Sequence, residues 1–218
     1  MQTEATQDYL KQIYMLQSSE GRATTSAIAE RMGVSAASAT AMIKRLAELG
    51  LVEHAPYHGA SLTPEGERVA VEVLRHHRLI ELYLTERLGL PWDQVHAEAE
   101  RLEHHISEDL EAAFDEALGF PATDPHGDPI PSPDLVLPPD VDSPLSTLEP
   151  GQRGVVRRVP DGDPALLQYL GTLGLVPNAT FLLVEKAPFE GPVTIDIDGA
   201  HHALGLPVAS RIRVAVAA

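Results

Sequence analysis

Half of the chain's 18 prolines fall between Pro121 and Pro150. No regular element tolerates proline at that density, because each one fixes φ and removes a backbone donor. The stretch therefore divides the 218-residue chain, and residues 121–147 are expected to form an extended tether. Upstream, apolar residues recur at helical spacing. Downstream of Gly151 they come in short β-type runs, Gly154–Val156, Thr180–Val184, Val193–Ile197 and Arg211–Val216, separated by glycine or proline turns. A part of about 68 residues with that pattern predicts a small five-stranded barrel. No internal repeat is visible.

Residues 1–65 read as three helices and a hairpin. Tyr9, Ile13 and Leu16 mark the buried face of the first helix. Thr25 or Ser26 caps a second helix carrying Ile28 and Met32, and Gly33 makes the turn. Ser35 caps a third, which buries Ala39, Ile43 and Leu46 and ends at Gly50. A short helix, the turn Gly33-Val34-Ser35 and a second helix make a helix-turn-helix pattern. Leu51–His54, a turn at Pro56–Gly59 and Ala60–Thr63 complete it as a two-stranded wing. Ser35, Ala36, Ala37, Ser38, Thr40 and Ala41 form a small-residue face at the start of the recognition helix. Such side chains let the backbone approach a major groove and touch thymine methyls or phosphates. Lys44 and Arg45 suit phosphate, and Tyr57 and His58 at the wing tip complete the candidate DNA surface. Few bidentate base readers are present, so DNA shape shares the readout. The alternative is a protein-binding helix.

Thr63-Pro64-Glu65 starts a long helix predicted to reach about Leu88, where Gly89 and Pro91 stop it. A further helix follows from about Trp92 to Leu118. On it Glu100, Glu103 and His104 share a face, with His96 one turn before Glu100. Two carboxylates and an imidazole so spaced are hard-to-borderline metal ligands. An apolar stripe of Val95, Ala99, Leu102, Ile106 and Leu110 runs beside them. In the preceding helix His77 and Glu81 stand at i and i+4 and join His96 in a second constellation. His76 and His105 are expected to face outward, and His201 and His202 to lie on the barrel surface. The bland alternative is a solvated acidic face.

Charge and composition narrow the classes. A net charge of −16 opposes indiscriminate nucleic-acid binding, and the Glu98–Glu116 stretch, where Arg101 alone is basic, attracts divalent cations instead. Cysteine is absent, which removes disulfides, thiolate zinc sites and thiol nucleophiles. There is no charged-then-apolar leader and no apolar run near the roughly 18 residues of a membrane span, so a cytoplasmic chain with no membrane partner is expected.

These features together resemble the diphtheria-toxin-repressor and manganese-transport-regulator family of metal-activated transcription regulators. The resemblance rests on Asp8–Leu16, Ile28-Ala29-Glu30-Arg31, Arg75-His76-His77-Arg78-Leu79-Ile80-Glu81, Val95-His96-Ala97-Glu98, Glu103-His104 and Asp124-Pro125-His126-Gly127-Asp128-Pro129-Ile130-Pro131. The tether and terminal barrel match its long, three-domain members, whose last domain is SH3-like. The resemblance implies a primary, activating site of Asp8, Glu100, Glu103 and His104, and an ancillary site of His77, Glu81 and His96 to which Asp163 is added from the last domain. Iron-type members carry sulfur-bearing residues at the first two primary positions. Here those positions are Asp8 and Glu100, hard oxygen donors that suit Mn²⁺, with Fe²⁺ as the alternative. Lys11 departs from short manganese-type members, which have a metal-joining glutamate there; a charged lysine cannot ligate, which favours two separated sites.

The expected fold is α+β: a winged helix-turn-helix DNA-binding domain (1–65), a helical dimerisation and metal-binding domain (66–120), the tether (121–147) and an SH3-like β-barrel (148–218). The expected function is a homodimeric, manganese-responsive repressor of metal-transport genes, bound to a double-stranded DNA operator when divalent metal orders its reading heads. An iron-responsive regulator of the same family, a metal-independent winged-helix regulator and a metallohydrolase are the alternatives. The last lacks a His-Glu-x-x-His helix and an activated nucleophile.

Overall fold

The computed structural model describes residues 3–55 and 59–216. The chain packs as two units: residues 1–77, 101–108 and 131–136 form one, and residues 78–100, 109–130 and 137–218 the other. The division falls inside three helices.

In the first unit, α1 (Glu4–Glu20), α2 (Thr25–Arg31) and α3 (Ala36–Glu48) precede an antiparallel hairpin of β1 (Val52–Ala55) and β2 (Gly59–Leu62). The helix starts are set by hydroxyl caps. Thr24, one residue before the predicted position, accepts from Ala27 N at 3.1 Å, and Ser35 accepts from Ser38 N at 3.1 Å. Gly33, with φ of 63°, makes the turn between α2 and α3. Leu10, Ile13 and Leu16 of α1 pack with Ile28, Ala39, Ile43, Leu46, Leu51, Val52 and Ala60 in one buried core. α4 (Pro64–Glu86) begins under a Thr63 cap. Gly66 admits the Leu51 carbonyl, which an added Cβ would meet at 1.9 Å.

The expected helix from Trp92 to Leu118 is two helices, α5 (Val95–Leu102) and α6 (Glu108–Leu118). Glu103, His104 and His105 form the turn between them. Ser107 followed by Glu108 and Asp109 is a helix-start signal strong enough to begin a new element. Glu103 and His104 therefore project from a turn rather than from a helix face, and Leu102 and Leu110 of the expected stripe are 42% exposed.

In the second unit a six-stranded antiparallel sheet has the order β3-β8-β4-β5-β6-β7, one strand more than expected. Its strands are β3 (Ser143–Pro144), β4 (Arg153–Arg158), β5 (Thr180–Lys186), β6 (Val193–Ile197), β7 (Ala200–Leu204) and β8 (Arg213–Val216). α7 (Pro164–Thr172) and the short α8 (Leu206–Ala209) cover it, and Val156, Leu167, Leu170, Leu183, Ile195 and Val214 fill the core.

The proline-rich stretch is not a solvated tether over its first ten residues. Asp124, His126 and Ile130 are buried. Asp124 Oδ1 accepts from the backbone N–H groups of His126 and Asp128, both at 2.9 Å, and Ile130 N donates to Ala122 O. These bonds replace the ladder that proline denies the segment. Among the described residues no helix is long and apolar enough to cross a membrane.

Candidate metal centres

In the first unit, α1 and the turn after α5 bring Asp8, Glu103 and His104 together, with one ligand atom of each within 4.8 Å of the others. His104 Nε2 lies 2.9 Å from Asp8 Oδ1 and 3.5 Å from Glu103 Oε1. Its other ring nitrogen, Nδ1, is 2.9 Å from Gln7 Oε1. Glu103 is fully buried and held on every side. Lys11 Nζ donates to Oε1 at 2.5 Å, His77 Nδ1 to Oε2 at 2.5 Å, and His76 Nδ1 to the Glu103 carbonyl at 3.0 Å. His76 is thus 7% exposed and structural, whereas an outward position was expected, because α4 is enclosed along this face. His105 does face solvent. Glu100, expected with the primary ligands, lies on α5 in the second unit, where its carboxylate is 3.8 Å from His96 Nε2. His77, expected beside Glu81 and His96, belongs to the first unit.

In the second unit a buried carboxylate, Glu81 of α4, stands at the centre of two overlapping triads: Glu81, His96 and Asp161, and Glu81, Asp124 and His126. His96 Nδ1 donates to Glu81 Oε1 at 3.1 Å, and His126 Nδ1 is 3.5 Å from Glu81 Oε2. Burial pushes the Asp124 carboxyl well above its usual range, with the Asp128 and Glu81 charges adding to that effect. Burial opposes protonation of His126, but Glu81 and Asp124 outweigh it and push its pKa up to about 9. Asp124 Oδ2 and His126 Nδ1 are both buried and make no hydrogen bond. A cation between them would supply the missing partner. His126 Nε2 donates to the Trp92 carbonyl at 2.8 Å, an outer contact that aims Nδ1 at Glu81.

Sequence reasoning missed Asp124, His126 and Asp161. The signal was present in Asp124-Pro125-His126-Gly127-Asp128, where three titratable residues alternate with proline and glycine, but the proline content reads as a tether. Gly127, with φ of 91°, lets this loop meet β4, where a Cβ would lie 1.8 Å from the Arg157 carbonyl. Asp163 is not among the clustered residues. It caps α7, accepting from Ala165 N and Leu166 N, as an Asp before proline at the first helical position does. Asp161, two residues earlier, presents the oxygen instead.

The candidate DNA surface is accessible. Ser35, Ala36, Ala37, Ser38, Ala41 and Lys44 are exposed and Thr40 is half-buried, its hydroxyl donating to Ala36 O. Tyr57 and His58 lie outside the described residues.

Three family models cover most of the chain: an iron dependent repressor N-terminal DNA binding domain over residues 1–60, an iron dependent repressor metal binding and dimerisation domain over 63–132, and a FeoA domain over 143–216. The iron-dependent repressor IdeR of Mycobacterium tuberculosis is 37% identical over 216 residues, covering 94% of this chain and 93% of that protein. A manganese-dependent transcriptional repressor solved in complex with manganese is 42% identical, with a TM-score of 0.90, over 96% of this chain and 98% of the other. The manganese regulator SloR is 33% identical, with a TM-score of 0.81, over 96% and 97% of the two chains.

Proposed function

The chain belongs to the diphtheria-toxin-repressor and IdeR family of metal-dependent transcriptional repressors, and from that premise we propose that it is a manganese-responsive member. Its DNA-binding and dimerisation domains imply operator DNA and a homodimer as partners. The observation that carries the metal choice is the donor set. Asp8, Glu103 and His104 in one unit, and Glu81, His96, Asp124, His126 and Asp161 in the other, offer oxygen and imidazole nitrogen and no sulfur. Mn²⁺ gains least of the first-row divalent metals from soft donors and so loses least in such a site. Glu100 and His77 remain further candidate ligands in this reading. Iron is the second reading, favoured by the identity to IdeR.

A bound divalent cation would supply charge that holds three carboxylate and imidazole groups in one place. Asp8 belongs to the first helix of the DNA-binding domain, and Glu103 and His104 to the turn between α5 and α6. Their meeting fixes the position of α1. Lys11 and His104 already tie α1 to that turn through Glu103 and Asp8, so the metal strengthens an existing clasp rather than gathering a detached helix. It acts as a ligand with higher affinity for the DNA-competent state.

The test begins with selection of an operator from random duplexes in Mn²⁺. Binding of that duplex is then titrated with Mn²⁺, Fe²⁺ and Zn²⁺ after stripping the protein. Binding that requires metal and responds to Mn²⁺ below Fe²⁺ supports the reading. A lower Fe²⁺ midpoint selects the iron reading, and equal affinity in chelator rejects metal control.

A further inference from the structure

Gln7 has no assigned role, yet its side chain contacts a candidate ligand 97 residues away in sequence. The two nitrogens of His104 face different partners. Nε2 points to the side where ligand atoms converge, 2.9 Å from Asp8 Oδ1 and 3.5 Å from Glu103 Oε1. Nδ1 points away from them to Gln7 Oε1 at 2.9 Å. The His104 side chain is 5% exposed, so water is a poor substitute for that acceptor. A neutral imidazole that gives Nε2 to a metal must carry its proton on Nδ1, and that N–H needs an acceptor. We propose that Gln7 is a positioning residue of the first centre, whose amide oxygen fixes the tautomer and ring orientation in which His104 Nε2 faces the metal.

The placement on α1 supports this. Gln7 precedes the ligand Asp8 and lies one helical turn before Lys11, which holds Glu103 in the same way. The first helix therefore supplies a ligand and, on either side of it, the groups that orient the other two. Gln7 does this without adding charge: a neutral acceptor leaves the net charge of Asp8, Glu103 and Lys11 unchanged. Loss of such an outer contact costs roughly 10–100-fold in metal affinity in other sites.

The inference rests on the metal reading of Asp8, Glu103 and His104, so its test separates the two. Mn²⁺ binding to the full-length protein is followed by the EPR signal of free Mn²⁺, with His104→Ala identifying the binding phase that belongs to this centre. Gln7→Leu should weaken that phase roughly 10–100-fold and leave the other unmoved. Gln7→Glu, which retains an acceptor, should keep it at wild-type strength or tighter. Cd²⁺-loaded protein with ¹⁵N-labelled histidine gives a second readout: a His104 Nδ1–H protected from exchange in wild type and Gln7→Glu, and unprotected in Gln7→Leu. If His104→Ala removes no phase, the metal reading fails. If it removes one and Gln7→Leu leaves that phase within twofold of wild type with Nδ1–H still protected, the role given to Gln7 is wrong.

Discussion

Replacing Lys11 with methionine keeps the apolar stem and removes the ammonium from a pair whose side chains are 3% and 0% exposed. The Lys11 Nζ to Glu103 Oε1 distance is 2.5 Å. Breaking a buried pair by removing one partner costs about 3–5 kcal/mol, because the remaining charge is left uncompensated. Here His77 still donates to the second Glu103 oxygen, which places the expected loss at the low end, about 3 kcal/mol. The same deletion removes a positive charge from the edge of the Asp8–Glu103–His104 cluster, so Mn²⁺ should bind the variant more tightly. Recovery of about 1.4 kcal/mol of the loss at saturating metal corresponds to a tenfold gain in affinity. The assay is urea unfolding by far-UV circular dichroism, in chelator and in Mn²⁺, at one fixed protomer concentration since the assembly is expected to dimerise. A Lys11→Met protein within about 0.5 kcal/mol of wild type in chelator would refute the reasoning, as would equal losses with and without Mn²⁺.

The double substitution Asp8→Met with Glu100→Cys should move the DNA-binding response from Mn²⁺ towards Fe²⁺ or Co²⁺; an unchanged Mn²⁺ midpoint in a folded dimer removes both residues from metal selection. Mn²⁺ binding at pH 7.5 should release about one proton from the second centre, because His126, with its pKa near 9, must give up its proton to ligate. The sign follows from the raised values: the fold favours protonated His126, a stabilisation present below the ordinary pKa of about 6.5 and lost as pH rises through about 9, so the Mn²⁺ midpoint should fall between pH 7 and 9. An indicator dye that detects no release counts against His126 as a ligand. Gly127→Ala combines a left-handed φ of 91° with a Cβ placed 1.8 Å from the Arg157 carbonyl. It should cost about 2 kcal/mol or more and weaken the second Mn²⁺ phase; an unaltered urea midpoint is the contrary outcome.

What the sequence made legible was local. Ser35 before an apolar-periodic run, Gly33 in the turn and Thr63-Pro64 ahead of a long helix are signals written within a few residues, and all three stand where expected. Asp8 was reached through resemblance alone, since nothing local joins residue 8 to residue 104. The break between α5 and α6 was hidden because Leu102, Ile106 and Leu110 continue a helical period across a turn. The burial of Lys11 and His76 was equally hidden: each owes it to Glu103, a long-range partner. His126 was obscured by its neighbours, because proline spacing says that a segment is not helix or strand but not whether it is solvated.

The face that α3 offers to solvent is made of alanine and serine, with Lys44 and Arg45 the cations of its second half, on a chain of net charge −16. Few cations mean few released counterions, and affinity for random duplex should be low with a shallow dependence on salt. A protein with such a face is expected to dwell briefly on random duplex and to slide little along it. Its search should then run by brief, independent collisions, with little protein held on non-specific DNA. Occupancy of an operator can then follow the metal supply closely, because little protein has to be released from other stretches of the genome when that supply changes.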